Sequence, residues 1–256
     1  MILFLAGCAP APVEAPKDLD ALFHFFLLGW ESASDEELLA AAANLSPLVQ
    51  ESSRGLVTDV TDEEQATVSL NPPQDPSEAT GLFVAGPSTC SLEELERAHY
   101  ELDQEGLYEE ATGEEKYIEY AREYTSDFDA YIARETAFGT WHTTYTVKPV
   151  LTQYTAEILG GLRYVPEADG VGPVIIDRAY LPSPATFEVE TEDFFVQDYQ
   201  LDILLPDGDT TVHAYGVWRD LQSAGLEDED EGVQNLLLDG FEDFDADTEL
   251  VCEGFR

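Results

Sequence analysis

Positive charge is what this chain has least of. Three Lys and eight Arg stand against 54 acidic residues in 256, giving a formal net charge of -43 with Asp and Glu spread along the whole length. A surface of that sign repels phosphate backbones, and no basic stripe relieves it anywhere, so we expect no nucleic-acid partner and no adsorption to anionic head groups. Like-charge repulsion also destabilises the compact state unless it is screened, and the screening distance falls from ~8 Å at physiological salt to ~3 Å at 1 M.

Long apolar runs are missing as well. The best, "ALFHFFLLGW" at 21–30, is ten residues with a His inside it, whereas a spanning helix needs about 18 or more. Gly-x-Ser-x-Gly, Ser-x-x-Lys and phosphate-binding glycine patterns are absent, since "LGGLR" at 159–163 has two Gly but no Lys. The sequence therefore offers no catalytic motif, and we expect no cofactor. Only four histidines occur, His24, His99, His142 and His213, and no two stand at the spacing of a helical or ribbon metal pair. With 44% hydrophobic and 11% aromatic residues, the chain still has ample material for a core of one large or two small domains. Scarce Lys on so acidic a surface is similar to what halophilic proteins show, and we expect a protein suited to saline surroundings.

The first sixteen residues carry the clearest address. "MILFLAG" is apolar throughout, and "APAPVEAP" at 9–16 places Pro so densely that neither helix nor ladder forms, leaving an extended tether. Between them Leu5-Ala6-Gly7-Cys8 resembles the bacterial lipobox. The resemblance implies diacylation of the Cys8 thiol, cleavage before it, and, because Ala9 is not Asp, an outer-membrane lipoprotein of the cell envelope. Residues 1–7 are then a signal-peptide remnant, 8–16 a lipid-anchored tether and 17–256 a single domain. Seven residues without Lys or Arg are shorter than a secretory signal requires, so we expect the true start to lie further upstream. If lipid consumes Cys8, the even pair Cys90 and Cys252 is free to form a disulfide; the alternative is two buried reduced thiols.

The body reads as α+β: N-terminal helices followed by a curved or closed antiparallel β-sheet of about seven strands. Leu19, Leu22, Phe23, Phe26, Leu27 and Trp30 share one helix face. Ser34 and Glu37 have capping-box spacing before a second helix at 35–45 that Pro47 stops. In 51–90, "GLVTDV", "ATVSL" and "TGLFVAG" predict two or three short strands. Ser91 and Glu94 open a helix to about Glu105, ended by Gly106, and Thr112 and Glu115 open another carrying Tyr117, Ile118, Ala121, Tyr124, Phe128, Tyr131 and Ile132. From Trp141 to the end the pattern reads as period two, including "GVQNLLLDGF" and "TELVCEGF", with the clearest hairpin at "PDGD", 206–209. Helices are thus expected mainly in 18–46 and 91–137, and the sheet in 141–256.

Two further constellations stand out. His142 and His213 both fall in expected strands, where a carboxylate between them would make a general base or a zinc site. "DFDADTE" at 243–249 alternates Asp243, Asp245 and Asp247, but Thr248 and Gly254 occupy the positions where an EF-hand needs Gly and Glu, which leaves weak carboxylate binding of Ca²⁺ or Mg²⁺ there and along "EDEDEG" at 227–232. The leading expectation is a lipid-anchored envelope protein with a non-catalytic binding or structural role, partnered by the membrane and by a small ligand or an envelope protein. The alternative is a small-ligand carrier with a calycin-like barrel pocket lined by Tyr and Trp, and a third reading is a hydrolase using His142 or His213 with acids.

Overall fold

In the computed structural model, residues 14–50, 53–71, 73–148, 153–188, 193–223, 226–227 and 230–256 are described. The chain begins with α1 (Leu19–Ser32) and α2 (Asp35–Leu45), then runs through β1 (Ser53–Val57), α3 (Asp62–Val68) and β2 (Thr80–Ser88). Next come α4 (Leu92–Tyr100), α5 (Gln104–Thr112), β3 (Tyr117–Tyr124) and α6 (Phe128–Ile132). A run of strands follows: β4 (Phe138–Val147), β5 (Tyr154–Val165), β6 (Val174–Tyr180), β7 (Thr186–Phe187), β8 (Phe194–Asp207), β9 (Thr210–Ser223) and β10 (Leu226–Glu227). One long helix, α7 (Glu231–Phe255), ends the chain.

All strands join one antiparallel sheet in the order β1-β2-β9-β8-β6-β5-β4-β3, with β10 added to β9 and β7 to β5. Among the described residues β1 and β3 do not pair, so the sheet is open rather than a closed barrel. The β8–β9 hairpin turns at "PDGD", where Gly208 takes the positive φ of 64° that the tight turn requires. Among the described residues no helix is long and apolar enough to cross a membrane.

One sheet face is covered by α1 and α2. Asp18 caps α1 by accepting from the Ala21 amide at 2.9 Å, and Ser34 and Glu37 form the expected capping box on α2. Leu22, Phe23, Phe26, Leu27 and Trp30 then bury against Ile176, Leu201, Ile203, Ala214 and Trp218. Phe23 sits where a Cβ on Gly216 would lie, 2.8 Å away, so only glycine admits the ring there. Arg163 of β5 closes the end of α1 by donating to the carbonyls of Gly29, Trp30 and Ala33 at 3.2, 2.9 and 2.8 Å, which places a cation where the helix dipole is negative.

The other face is covered by α4, α5 and α7. Here the sequence expectations need correction. "GVQNLLLDGF" and "TELVCEGF" are not strands but parts of α7, whose inward residues Leu238, Phe241, Phe244, Thr248, Val251 and Cys252 recur at three and four. The consecutive leucines hid that period. Tyr117–Tyr124 is not helical either: it is edge strand β3, pairing with β4, and only Phe128–Ile132 of the expected helix forms. A spacing of four satisfies both periods, the spacing of three between Tyr117 and Tyr120 spans a register shift between Tyr117 and Glu119, and pairing with β4 decides for the strand. "ATVSL" contributes to α3 rather than a strand, under a capping box of Thr61 and Glu64. Gly106 lies within α5 rather than ending the preceding helix, because Asp103 restarts the chain as an N-cap.

Candidate functional site

Sheet alternation sends Trp141, Thr143 and Tyr145 of β4, Ile158 of β5, Asp177 and Ala179 of β6, Gln200 and Asp202 of β8, and Tyr215 and Arg219 of β9 towards α7. Phe241 and Phe244 of α7 roof them, and Lys116, Tyr117, Tyr120 and Arg122 close one side. Between floor and roof is a cavity of about 360 Å³. It exists because the roof is a long helix lying across a sheet. α7 is fixed against β2 and β9 through Leu82, Val84, Val217 and Leu238, and against α5 by Tyr108, which stacks on Phe244 at 5.2 Å and bonds Thr248 Oγ1 at 2.7 Å.

The cavity wall is aromatic and polar together. Tyr117 packs against Tyr120 and Tyr145, with centroids 5.5 and 5.1 Å apart, and Tyr145 faces Tyr154 at 6.4 Å. Burial raises the pKa of each of these four tyrosines, so they remain neutral hydroxyls. Gly160 leaves the space over which the Trp141 indole lies.

Three of the chain's eleven basic residues line this cavity: Lys116, Arg122 and Arg219. Lys116 pairs with Asp247 at 2.8 Å, and Arg219 with Asp198 at 2.9 Å. Arg122 differs. It donates to the carbonyls of His99 and Glu101, to Gln104 Oε1 and to Thr143 Oγ1, its guanidinium stands 5.0 Å from the Trp141 ring centre, and among the described residues no carboxylate lies within ion-pair distance of it.

Beneath the cavity is a buried cluster of charge. His99 of α4 donates from Nδ1 to Asp177 Oδ2 at 2.9 Å. His213 of β9 donates from Nε2 to Asp202 Oδ1 at 2.7 Å, and its Nδ1 lies 2.9 Å from Asp245 Oδ1 of α7. The two imidazoles meet edge to face with centroids 5.9 Å apart. Burial opposes charge on His213, but Asp245 and Asp202 outweigh it and push the pKa up to about 10. His99 is likewise raised, burial being outweighed by Asp202 and Asp177. Burial raises Asp177 in turn, with His99 opposing.

The sequence candidates are distributed as follows. His142, on the alternate side of β4, is half-buried near Glu123 and Glu157 at 3.8 and 3.9 Å, and the histidine that joins His213 is His99 instead. Asp243, Asp245 and Asp247 do not form a loop: on helix α7, Asp243 is exposed, Asp245 reaches His213 and Asp247 reaches Lys116. Cys90 and Cys252 are joined as a disulfide that ties the start of α4 to the last turns of α7. Cys8 lies outside the described residues, as do 228 and 229 of the acidic run. Sequence reasoning missed His99, Asp177 and Asp202. The only available signal was their alternation or helical position on inward faces, which many other polar residues share.

No protein-family model matches the chain, and no curated protein matches it. Among solved structures it is similar to a STAR-related lipid transfer protein from Xanthomonas axonopodis, at 9% identity over 72% of this chain and 89% of that one, with a TM-score of 0.41. It is also similar to the human StarD13 lipid transfer and protein localization domain, at 9% identity over 71% and 80% of the two chains, with a TM-score of 0.40. Likeness at this level transfers no residue role.

Proposed function

We propose that this chain is a non-catalytic binding protein for a small amphipathic molecule with an aromatic or apolar body and an anionic or hydrogen-bond-accepting end. The cavity under α7 carries the reading. Its volume of about 360 Å³ falls within the ~300–1,000 Å³ of small-molecule sites, and an aromatic wall with a few fixed polar groups is their usual composition. The polar end faces Arg122, because that guanidinium is held by neutral acceptors and, among the described residues, has no carboxylate within ion-pair distance. In a chain of net charge -43, an anion finds few other favourable places.

Anilinonaphthalene sulfonate, which has both features, is a suitable probe. We expect saturable binding with blue-shifted emission, lost in Ala179→Trp, which fills the cavity, and weakened about tenfold or more in Arg122→Met, which removes one charge-assisted contact. Equal binding by wild type and Ala179→Trp would refute the cavity as the site.

The address is part of the same proposal: Leu5-Ala6-Gly7-Cys8 supports attachment of the carrier to the outer membrane through lipid on Cys8, with the Pro-rich tether as spacer. Metabolic labelling with a fatty acid should mark the wild type and not Cys8→Ala. Equal labelling of both removes the anchor and leaves the cavity reading intact.

A further inference from the structure

We propose that His99, His213 and Asp202 bind a single divalent transition-metal ion of the Zn²⁺ class on the floor of the cavity. Each offers one ligand atom, and these atoms all lie within 4.8 Å of one another. All three residues are more than nine-tenths buried, so the cluster is not an exposed acidic patch. Two imidazole nitrogens and a carboxylate oxygen suit Zn²⁺ and its neighbours, whereas Ca²⁺ and Mg²⁺ take oxygen almost alone.

The surroundings are built as metal sites are built. Asp177 occupies Nδ1 of His99 at 2.9 Å, which fixes the ring and leaves Nε2 to ligate. Asp245 stands 2.9 Å from Nδ1 of His213 as a charged neighbour of that ring. A ligating histidine almost always gives its other nitrogen to a carboxylate, a carbonyl or water, and His99 gives it to Asp177. His213 Nε2 and Asp202 Oδ1, 2.7 Å apart, share a proton that an ion would displace.

A second observation points the same way. Asp177 Oδ1 is buried with no hydrogen-bond partner, and so is Asp245 Oδ1, which lies near His213 but off the line of a hydrogen bond. Moreover, Asp177 and Asp202 are direct cross-strand partners on β6 and β8. Like charges directly opposite destabilise a sheet, and unsatisfied buried carboxylate oxygens cost more, so a divalent cation between these groups offsets both. His99, Asp177 and Asp202 line the cavity, so water or the cavity's occupant would supply the fourth ligand, as in open three-ligand sites. The inference stands on these residues and does not depend on the identity of the cargo.

The test uses the full chain, stripped with a chelator and titrated with Co²⁺ in excess Ca²⁺, which saturates the exposed carboxylates. We expect stoichiometric binding with a visible d–d absorption band, displaced by Zn²⁺ and accompanied by proton release. His99→Ala should abolish the band. Asp177→Asn should keep it but weaken binding roughly 10–100-fold, the usual cost of losing an orienting carboxylate. Asp243→Asn, on the exposed side of α7, should change nothing. A wild type without the band overturns the site in favour of a proton-only network. A band that survives His99→Ala, or an affinity unchanged in Asp177→Asn, overturns it by placing the metal elsewhere. If His99→Ala does not fold, the wild-type band and the Asp177→Asn affinity decide.

Discussion

Arg219 grips Asp198 across the β8–β9 ladder, Nε to Oδ1 at 2.9 Å and Nη2 to Oδ2 at 3.2 Å, with Asp198 only 1% exposed. Burial opposes the charge on Arg219, but Asp198 outweighs it and raises the guanidinium pKa, so Arg219 stays charged. Gln200 adds a third contact by donating to Asp198 Oδ2 at 2.6 Å. The cavity floor is therefore set by a closed ion pair, while Arg122 nearby is held by neutral acceptors.

Removing one partner of a buried pair leaves the other charged and desolvated. Asp198→Asn should lower stability by about 3–5 kcal/mol in urea unfolding, and the double variant Asp198→Leu/Arg219→Met should recover most of that loss. A double variant no better than the single would show that the pair is more than electrostatic compensation.

His24 gives a pH dependence whose sign is fixed by its neighbours. Its Nδ1 is 2.6 Å from Glu64 Oε1, its Nε2 contacts Thr58 at 3.0 Å, and Asp20 is 3.9 Å away. Burial lowers the pKa, but Glu64 and Asp20 outweigh it and raise it. A raised imidazole binds its proton more tightly when folded. Its contribution is thus fully present below about pH 6.5 and is lost as pH rises through the folded value. The stability difference between wild type and His24→Gln should be largest near about pH 6 and should shrink by about pH 9, a trend read from unfolding midpoints.

The Cys90–Cys252 disulfide closes a loop across 162 positions and holds the end of α7 to α4. Apart from Cys8, native protein should resist alkylation until reduced and then gain two further adducts by intact mass. Cys252→Ser should cost up to about 5 kcal/mol, the chain-entropy limit for a long loop.

The net charge of -43 predicts stabilisation by salt. Melting temperature should rise between low and molar NaCl as the screening length falls from ~10 Å at 0.1 M to ~3 Å at 1 M. A flat profile would remove the halophilic reading.

Local signals were legible where two of them agreed. Both the Leu19–Trp30 stripe and the Ser34–Glu37 capping box predict the helices that form, and "PDGD" predicts its hairpin. Where the period was ambiguous, as at Tyr117–Tyr124 and along 231–255, the sequence misled in both directions, because strand pairing in the first case and packing across the sheet in the second decide it.

By itself, the sequence determined the acidic surface and the α+β class, since these follow from composition and near-neighbour spacing. Only the tertiary structure decided what meets what. His99 comes from a helix, Asp177, Asp202 and His213 from three strands and Asp245 from the last helix, and their contacts span up to 78 positions for a single hydrogen bond. The cavity likewise exists only because α7 is a helix laid over the sheet and not two more strands added to it. Chain separation carries no distance information at that range, so packing of the two faces supplies it.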